Sequence, residues 1–285
     1  MQTMLFIELN ELMIKYRFKP RKKFAQHFII DEQLIERIVK KASLSKRDIV
    51  LEIGAGTGFL TRALLAEAKV IAVEKDRKLC EILEEIFAKE ISSGKMQLIC
   101  KDFIKLDLEK LNFNKVVSFP PYYISSKILF KLLPMRKDLM LFVFQKEFVE
   151  KLIALPGFHN YNALTVITDY FSNVKILEDV PKSSFFPKPK AESQLIKIEP
   201  KLQNEKAKDE ETFVQFTKAM FRHPNKNLRN SLAFAKKIFA KSNVNKKLDL
   251  GNADRYLNKK ILNEKVNLIP PKKWVEIFNK LAINY

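Results

Sequence analysis

The chain predicts an α/β protein, a mostly parallel sheet of seven strands covered by helices and followed by a small all-helical domain. Three observations predict it. Short apolar runs alternate with helical patterns from about residue 49 to about residue 200, the order of strands joined by crossover helices. Gly54, Gly56 and Gly58, three of only six glycines, lie between one apolar run and the next helical pattern, which reads as strand, tight turn, helix. Beyond Thr212 the periodicity is helical only.

Met1 to Tyr16 leans apolar but carries Glu8 and Glu11 and lacks a basic start. It reads as an N-terminal extension, 1–17, rather than a secretion signal. A basic stretch interleaved with aromatics follows, Tyr16 to Phe28, with Lys22 and Lys23 inside it. Asp31 is placed to cap a helix through Leu34, Ile35, Ile38 and Val39. Strands are expected at 49–54, 69–74, 96–101, 114–118, 139–144, 174–179 and 194–199, and helices at 59–67, 76–92, 124–133, 146–155 and 162–171. The last strand follows the Pro-rich 181–189 loop and is expected antiparallel to its neighbours. The polar run Lys201 to Glu211 reads as a linker, so the domains are drawn at 18–200 and 201–285. In the second domain Val214, Phe216, Phe221, Leu228, Leu232, Phe234, Ile238 and Phe239 supply apolar helix faces.

At 285 residues and 47% apolar content the chain builds a sizeable core. No apolar run reaches the roughly 20 residues that span a bilayer. Two cysteines, Cys80 and Cys100, are too few for a disulfide framework or a metal site, and imply a reducing, cytoplasmic setting. With no heptad or apolar stripe, a monomer is expected. The charge is more telling: 52 Lys+Arg against 33 Asp+Glu, net +19. Residues 205–285 alone hold 18 basic and 8 acidic side chains, +10 of that excess. Such a surplus implies a polyanionic partner and disfavours a small-molecule substrate. Lys-rich composition also serves thermal stability, and that alternative stays open.

The glycine cluster carries the first chemistry. Glu52 precedes it, and Glu74, twenty residues after Gly54, ends the second strand, where a doubly wound sheet holds a ribose diol. A dinucleotide fingerprint would need a glycine where Phe59 stands. The pattern present, E-x-G-x-G-x-G, resembles the loop of S-adenosylmethionine (AdoMet) methyltransferases. Asp102 ends the third strand as an adenine-amino acceptor or a loop cap, and Phe103 offers an apolar wall. The fourth strand runs into Phe119-Pro120-Pro121-Tyr122, where amino-group methyltransferases carry Asn-Pro-Pro-Tyr or Asn-Leu-Pro-Tyr. That motif has a physical reason. An adenine amino nitrogen is a poor nucleophile, because its lone pair is delocalised into the ring. Two acceptors, the Asn side chain and a backbone carbonyl, draw its hydrogens out of plane, while the aromatic residue stacks on the unstacked base.

Together these stretches resemble the rRNA adenine dimethyltransferase family over about residues 17–285. Phe18-Lys19-Pro20 to Asp31 is similar to its basic opening, Leu51 to Gly58 with Glu74 to its AdoMet loop and ribose acid, and Tyr122 to Ser126 to the residues after its catalytic loop. Gln145-Lys146-Glu147, Val180 to Pro187, and Phe221, Lys226 and Leu228 to Leu232 resemble further family segments in the same order. The resemblance implies a class I AdoMet-dependent, Rossmann-like fold and transfer of two methyls to each of two adjacent adenosines near the 3′ end of small-subunit rRNA, late in subunit assembly. It implies cofactor contacts from Gln26, His27, Ile29, Gly54, Gly56, Glu74 and Asp102. Tyr122 and Phe185 would stack on the adenine, and Pro120 would supply the carbonyl. Lys22, Lys23, Arg222, Lys226 and Arg229 would hold rRNA.

Departures concentrate at catalysis. Phe119 stands where the family has Asn and accepts no hydrogen bond, a loss on the order of 10²–10³ in rate by analogy with deleting an oxyanion-hole donor. Ser118 is expected to point the other way. Ala25 replaces a family Gly, and Asn162-Ala163 a Gly-Arg pair. Three readings follow: a working dimethyltransferase, an rRNA-binding assembly factor with weak or no catalysis, and a DNA-binding relative.

Overall fold

The computed structural model describes residues 3–21, 26–202, 205–240 and 247–283. The chain forms two compact units, one of residues 1–149 with 175–200, the other of 150–174 with 201–285.

The first unit is built on a seven-stranded sheet. Its strands are β2 (Ile49–Ile53), β3 (Lys69–Glu74), β4 (Met96–Cys100), β5 (Lys115–Ser118), β6 (Leu139–Gln145), β7 (Ser172–Val180) and β9 (Ser193–Pro200). The order across the sheet is β4-β3-β2-β5-β6-β9-β7. Pairs β2–β3, β2–β5, β3–β4 and β5–β6 are parallel, and β9 runs antiparallel to β6, as expected. Runs of consecutive buried residues in β2, β3 and β6 mean that both faces are covered.

The helices stand where their periodicity places them. Asp31 caps α2 (Glu32–Ala42), accepting from Leu34 N at 2.9 Å, and Leu34, Ile35 and Ile38 face the core. Helix α3 (Phe59–Glu67) leaves the glycine loop and packs on β3. The pattern at 76–92 is not one helix: α4 (Arg77–Ile86) closes at Phe87 and α5 (Ala88–Ser92) restarts. Helix α6 spans Ser125–Leu132, and α7 (Lys146–Leu152) stops three residues short of its expected end.

Two features have no strong signal in the sequence. Residues Met4–Lys15 form α1, whose Leu5 and Leu9 are buried in the core. The two-residue strands β1 (Phe28–Ile29) and β8 (Phe185–Phe186) pair antiparallel, Phe28 with Phe186 and Ile29 with Phe185. Each is far shorter than a strand that periodicity can reveal.

The second unit is helical among its described residues, apart from the first three residues of β7 and two isolated bridges, Asn227–Lys265 and Leu248–Ala282. Helices α8 (Ala163–Phe171), α9 (Glu210–Met220), α10 (Leu228–Phe239) and the last helix, Pro271–Leu281, enclose an aromatic core of Tyr170, Phe213, Phe216, Phe278 and Trp274. The Ile269 carbonyl accepts from both Tyr161 Oη at 2.6 Å and Trp274 Nε1 at 3.2 Å, which satisfies two buried polar groups with one acceptor. A cut at residue 200 is therefore corrected. Residues 150–174 belong to this unit because α8 buries Val166, Ile167 and Phe171 against α9 and the last helix. Asn162 caps α8 in a capping box with Thr165. The expected linker is also tied down. Lys201 N donates to Phe171 O, Ala207 N to Tyr170 Oη, and α9 begins at Glu210, capped by Asp209.

Candidate functional site

The glycine loop sits at the carboxyl end of β2, in the crevice where open α/β sheets bind ligands. Gly54, Gly56 and Gly58 all have positive φ, 79°, 61° and 84°. Their reasons differ. A Cβ on Gly58 would lie 2.5 Å from Phe87 and 2.9 Å from Leu83, so this glycine seats α3 against α4. A Cβ on Gly54 would lie 3.1 Å from Pro121, so this one lets the loop after β5 approach. Gly56 has room, its nearest neighbour being Phe28 at 3.4 Å, and its missing side chain leaves backbone facing the cleft.

Glu74 is held in place by three backbone donors. Its Oε2 accepts from Gly56 N at 2.9 Å, and its Oε1 from Lys75 N and Asp76 N at 2.8 Å each. Burial raises its pKa, and these three bonds oppose the rise. Glu52 is a different case. Buried at 2% exposure, it accepts from Thr61 Oγ1 at 2.6 Å, and desolvation pushes its pKa up to about 8. A protonated Glu52 spares Glu74 a second negative charge beside it. Glu52 supports the loop rather than lining the cleft.

A cavity of ≈ 70 Å³ opens here, lined by Gln26, His27, Phe28, Gly54, Gly56, Glu74, Lys75, Leu79, Phe119, Pro121 and Tyr123. Five of the sequence-derived cofactor residues line it: Gln26, His27, Gly54, Gly56 and Glu74. Gln26 is anchored from outside, with Nε2 donating to Asp76 Oδ2 at 2.9 Å and Oε1 accepting from Arg21 N at 2.8 Å. His27 Nδ1 donates to the Pro187 carbonyl at 2.6 Å, which fixes the ring's orientation. Ile29 does not reach the cavity. It sits in the core, and Phe28 lines the wall instead, because successive residues of β1 point to opposite faces. Asp102 is also absent from the lining. Its Oδ1 caps the turn at Phe103–Lys105, and its Oδ2 pairs with Lys75 Nζ at 2.7 Å, which lowers its pKa. Lys75, Leu79 and Tyr123 line the cavity without having been singled out in the sequence.

A ribose diol fits the fixed carboxylate of Glu74, and Leu79 with Phe28 offers apolar walls. The donor set suits a nucleoside-bearing cofactor.

Phe119 lines the same cavity and meets Phe185 edge-on, ring centroids 6.1 Å apart. Nothing in its side chain accepts a hydrogen bond. Ser118 points away as expected, and its Oγ donates to Ile53 O at 2.7 Å and accepts from Ile53 N at 3.2 Å, so it lends nothing to the cleft. Pro120 is buried, and among the described residues its carbonyl accepts no hydrogen bond. Tyr122 stacks with His27 at 6.2 Å and 27°, its phenol fixed by Ser193 Oγ at 2.8 Å. Burial raises the Tyr122 pKa, so the ring stays neutral. Phe185, on β8, is 2% exposed.

Of the residues expected to hold RNA, Lys22 and Lys23 lie outside the described residues, as does Ala25. Arg222 and Lys226 are exposed in the turn between α9 and α10. Arg229, in the first turn of α10, pairs with Asp254. Its charge is already matched.

Known proteins resemble this chain over most of its length. The model of the ribosomal RNA adenine dimethylase family matches residues 17–280. A protein of Methanopyrus kandleri named as a probable ribosomal RNA small subunit methyltransferase A is 38% identical over 226 residues, 79% of this chain and 80% of that one. A protein of the same name from Methanosarcina acetivorans is 41% identical over 225 residues, 79% and 81% of the two chains. Among solved structures, a dimethyladenosine transferase from Plasmodium falciparum superposes with a TM-score of 0.71 at 26% identity, covering 90% of this chain and 99% of that one. The 23S rRNA methyltransferase ErmE, at 24% identity and a TM-score of 0.60, covers 89% and 99% and shares the fold. The chain belongs to the ribosomal RNA adenine dimethylase family, a family of AdoMet-dependent rRNA methyltransferases with the class I fold.

Proposed function

We propose that this chain binds AdoMet in the cleft between the glycine loop and Glu74 and transfers methyl groups to the amino nitrogens of two adjacent adenosines near the 3′ end of small-subunit rRNA. The observation that carries this reading is the convergence of Gly56, Glu74, His27 and Phe119 on one cavity, with Tyr122 and Phe185 beside it. In this reading Glu74 holds the ribose, and Asp102 reaches the adenine amino group once Lys75 is displaced. Tyr122 and Phe185 stack on the target base, Phe185 once the Phe119 ring packed against it turns aside, and the unpartnered Pro120 carbonyl draws out one amino hydrogen. AdoMet held there would supply the methyl and leave as S-adenosylhomocysteine, and the amino proton would pass to water. The partner is the small ribosomal subunit during assembly, bound through the basic helical unit by a cytoplasmic monomer. No helix among the described residues is long and apolar enough to cross a membrane.

One observation favours a second reading. Phe119 fills the wall where an acceptor is wanted, so a protein that keeps cofactor and rRNA binding with weak catalysis fits the same site. Transfer of radiolabelled methyl from AdoMet to subunits lacking the modification, with filter binding of the same subunits, separates the two. Label on two neighbouring adenosines supports the enzyme. Tight binding without label supports the assembly factor, and neither overturns both.

A further inference from the structure

The ribbon β1–β8 carries one wall of the cofactor cavity (Phe28) and the aromatic face assigned to the target base (Phe185). Yet it consists of two residue pairs, and a ribbon that short does not hold itself together in water. Its ends are clipped by side chains and backbone: His27 Nδ1 to Pro187 O at 2.6 Å, Ile30 N to Ser184 O at 2.8 Å, and Ser184 Oγ to Asp31 Oδ2 at 2.7 Å. One further element touches both strands' neighbourhoods, and it lies outside the residues that match the family. Helix α1 reaches the β1 side through Thr3 Oγ1, which donates to Ile30 O at 2.6 Å, and Leu5 N, which donates to Glu32 Oε1 at 2.8 Å. It reaches the β8 side through Phe6, whose ring meets Phe186 edge-on at 5.2 Å. Leu5 and Leu9 bury in the same core as Phe28, Ile29 and Phe185. Glu8 adds a two-pronged pair with Arg62 on α3, both contacts 2.9 Å.

We infer that α1 is a strap that fixes the β1–β8 ribbon, and that Phe6 is a positioning residue for Phe185. The inference rests on the proposed role of Phe185. Edge-to-face aromatic contact gives Phe186 one orientation, and Phe186 sets its neighbour in a strand whose side chains alternate.

The test is Phe6→Ala in the full chain, read two ways. Amide hydrogen exchange needs no catalysis: Ile30, Phe28 and Phe186 should exchange about tenfold faster, with β2 and β3 unchanged. Steady-state methyl transfer to rRNA should show kcat down about tenfold, with the Kd for AdoMet shifted less than threefold, because the loop and Glu74 keep their own bonds. Phe6→Leu should recover most of the loss. Unchanged exchange at the ribbon overturns the inference, as does exchange that quickens uniformly across the sheet. So does an unchanged kcat in an active protein. If the wild type transfers no methyl, the proposed function fails and exchange alone decides the strap. Should Phe6→Ala not fold, Thr3→Val, which removes the bond to Ile30 O and the cap on Phe6 N, carries the same readouts.

Discussion

Phe119 concentrates the question of activity in one side chain. It contributes an apolar edge to the cleft and to Phe185, where the chemistry wants an oxygen. Phe119→Asn should therefore raise single-turnover methyl transfer by about 10²-fold, the scale of one preorganised hydrogen bond to a reacting centre. Affinity for rRNA should stay within about twofold, because the residue lies in the cleft rather than on the basic helices. No gain in rate would mean that the Pro120 carbonyl suffices. Glu52 offers a prediction about stability instead. Its folded pKa of about 8 lies well above the roughly 4.3 of an unfolded glutamate. Between those values the unfolded chain releases a proton that the folded chain keeps, so this residue lowers stability as pH rises through the window. Glu52→Gln has no proton to lose. The melting temperature of the variant relative to wild type should climb by several degrees from pH 5 to pH 8.5, corresponding to on the order of a few kcal/mol. A constant difference across that range would show that the carboxyl is ionised in the fold.

The glycine loop is the element whose parts separate most cleanly. Gly58→Ala drives a methyl into Phe87 and Leu83 at a left-handed backbone and should cost about 2–4 kcal/mol in denaturant unfolding. Gly56→Ala meets only ordinary contact with Phe28 and should cost about 1–2 kcal/mol, but AdoMet affinity measured by calorimetry should fall at least tenfold. Equal losses from both would mean that the two glycines share a role. The loop itself, Glu74 and the alternating strands and helices were legible in the sequence, because local period and glycine placement determine them. Phe28 as the cavity wall in place of Ile29 was not, since a two-residue strand has no period to read. The helical unit's claim on residues 150–174 was equally hidden. Helix α8 reads the same whichever core it joins, and only its partners α9 and Pro271–Leu281 settle it.

At the scale of the whole molecule the charge is the property to test, and the structure sharpens which part of it counts. Of the net +19, +10 falls within residues 205–285. Not all of the 18 cations there are available to phosphate. Arg229 is matched by Asp254, and Lys247 by Asp209, whereas Arg222 and Lys226 lie exposed in the turn before α10. Each cation that neutralises a phosphate releases counterions, so the slope of log affinity against log salt counts such contacts. Lys226→Ala and Arg222→Ala should each weaken rRNA binding and flatten that slope by about 0.7–0.9. Removing Arg229 and Asp254 together deletes one charge of each sign and should leave the slope unchanged. Filter binding over a salt series measures all three. If the Lys226 and Arg222 variants keep the wild-type slope while the paired deletion flattens it, rRNA breaks the Arg229–Asp254 pair and runs along α10 instead of the turn.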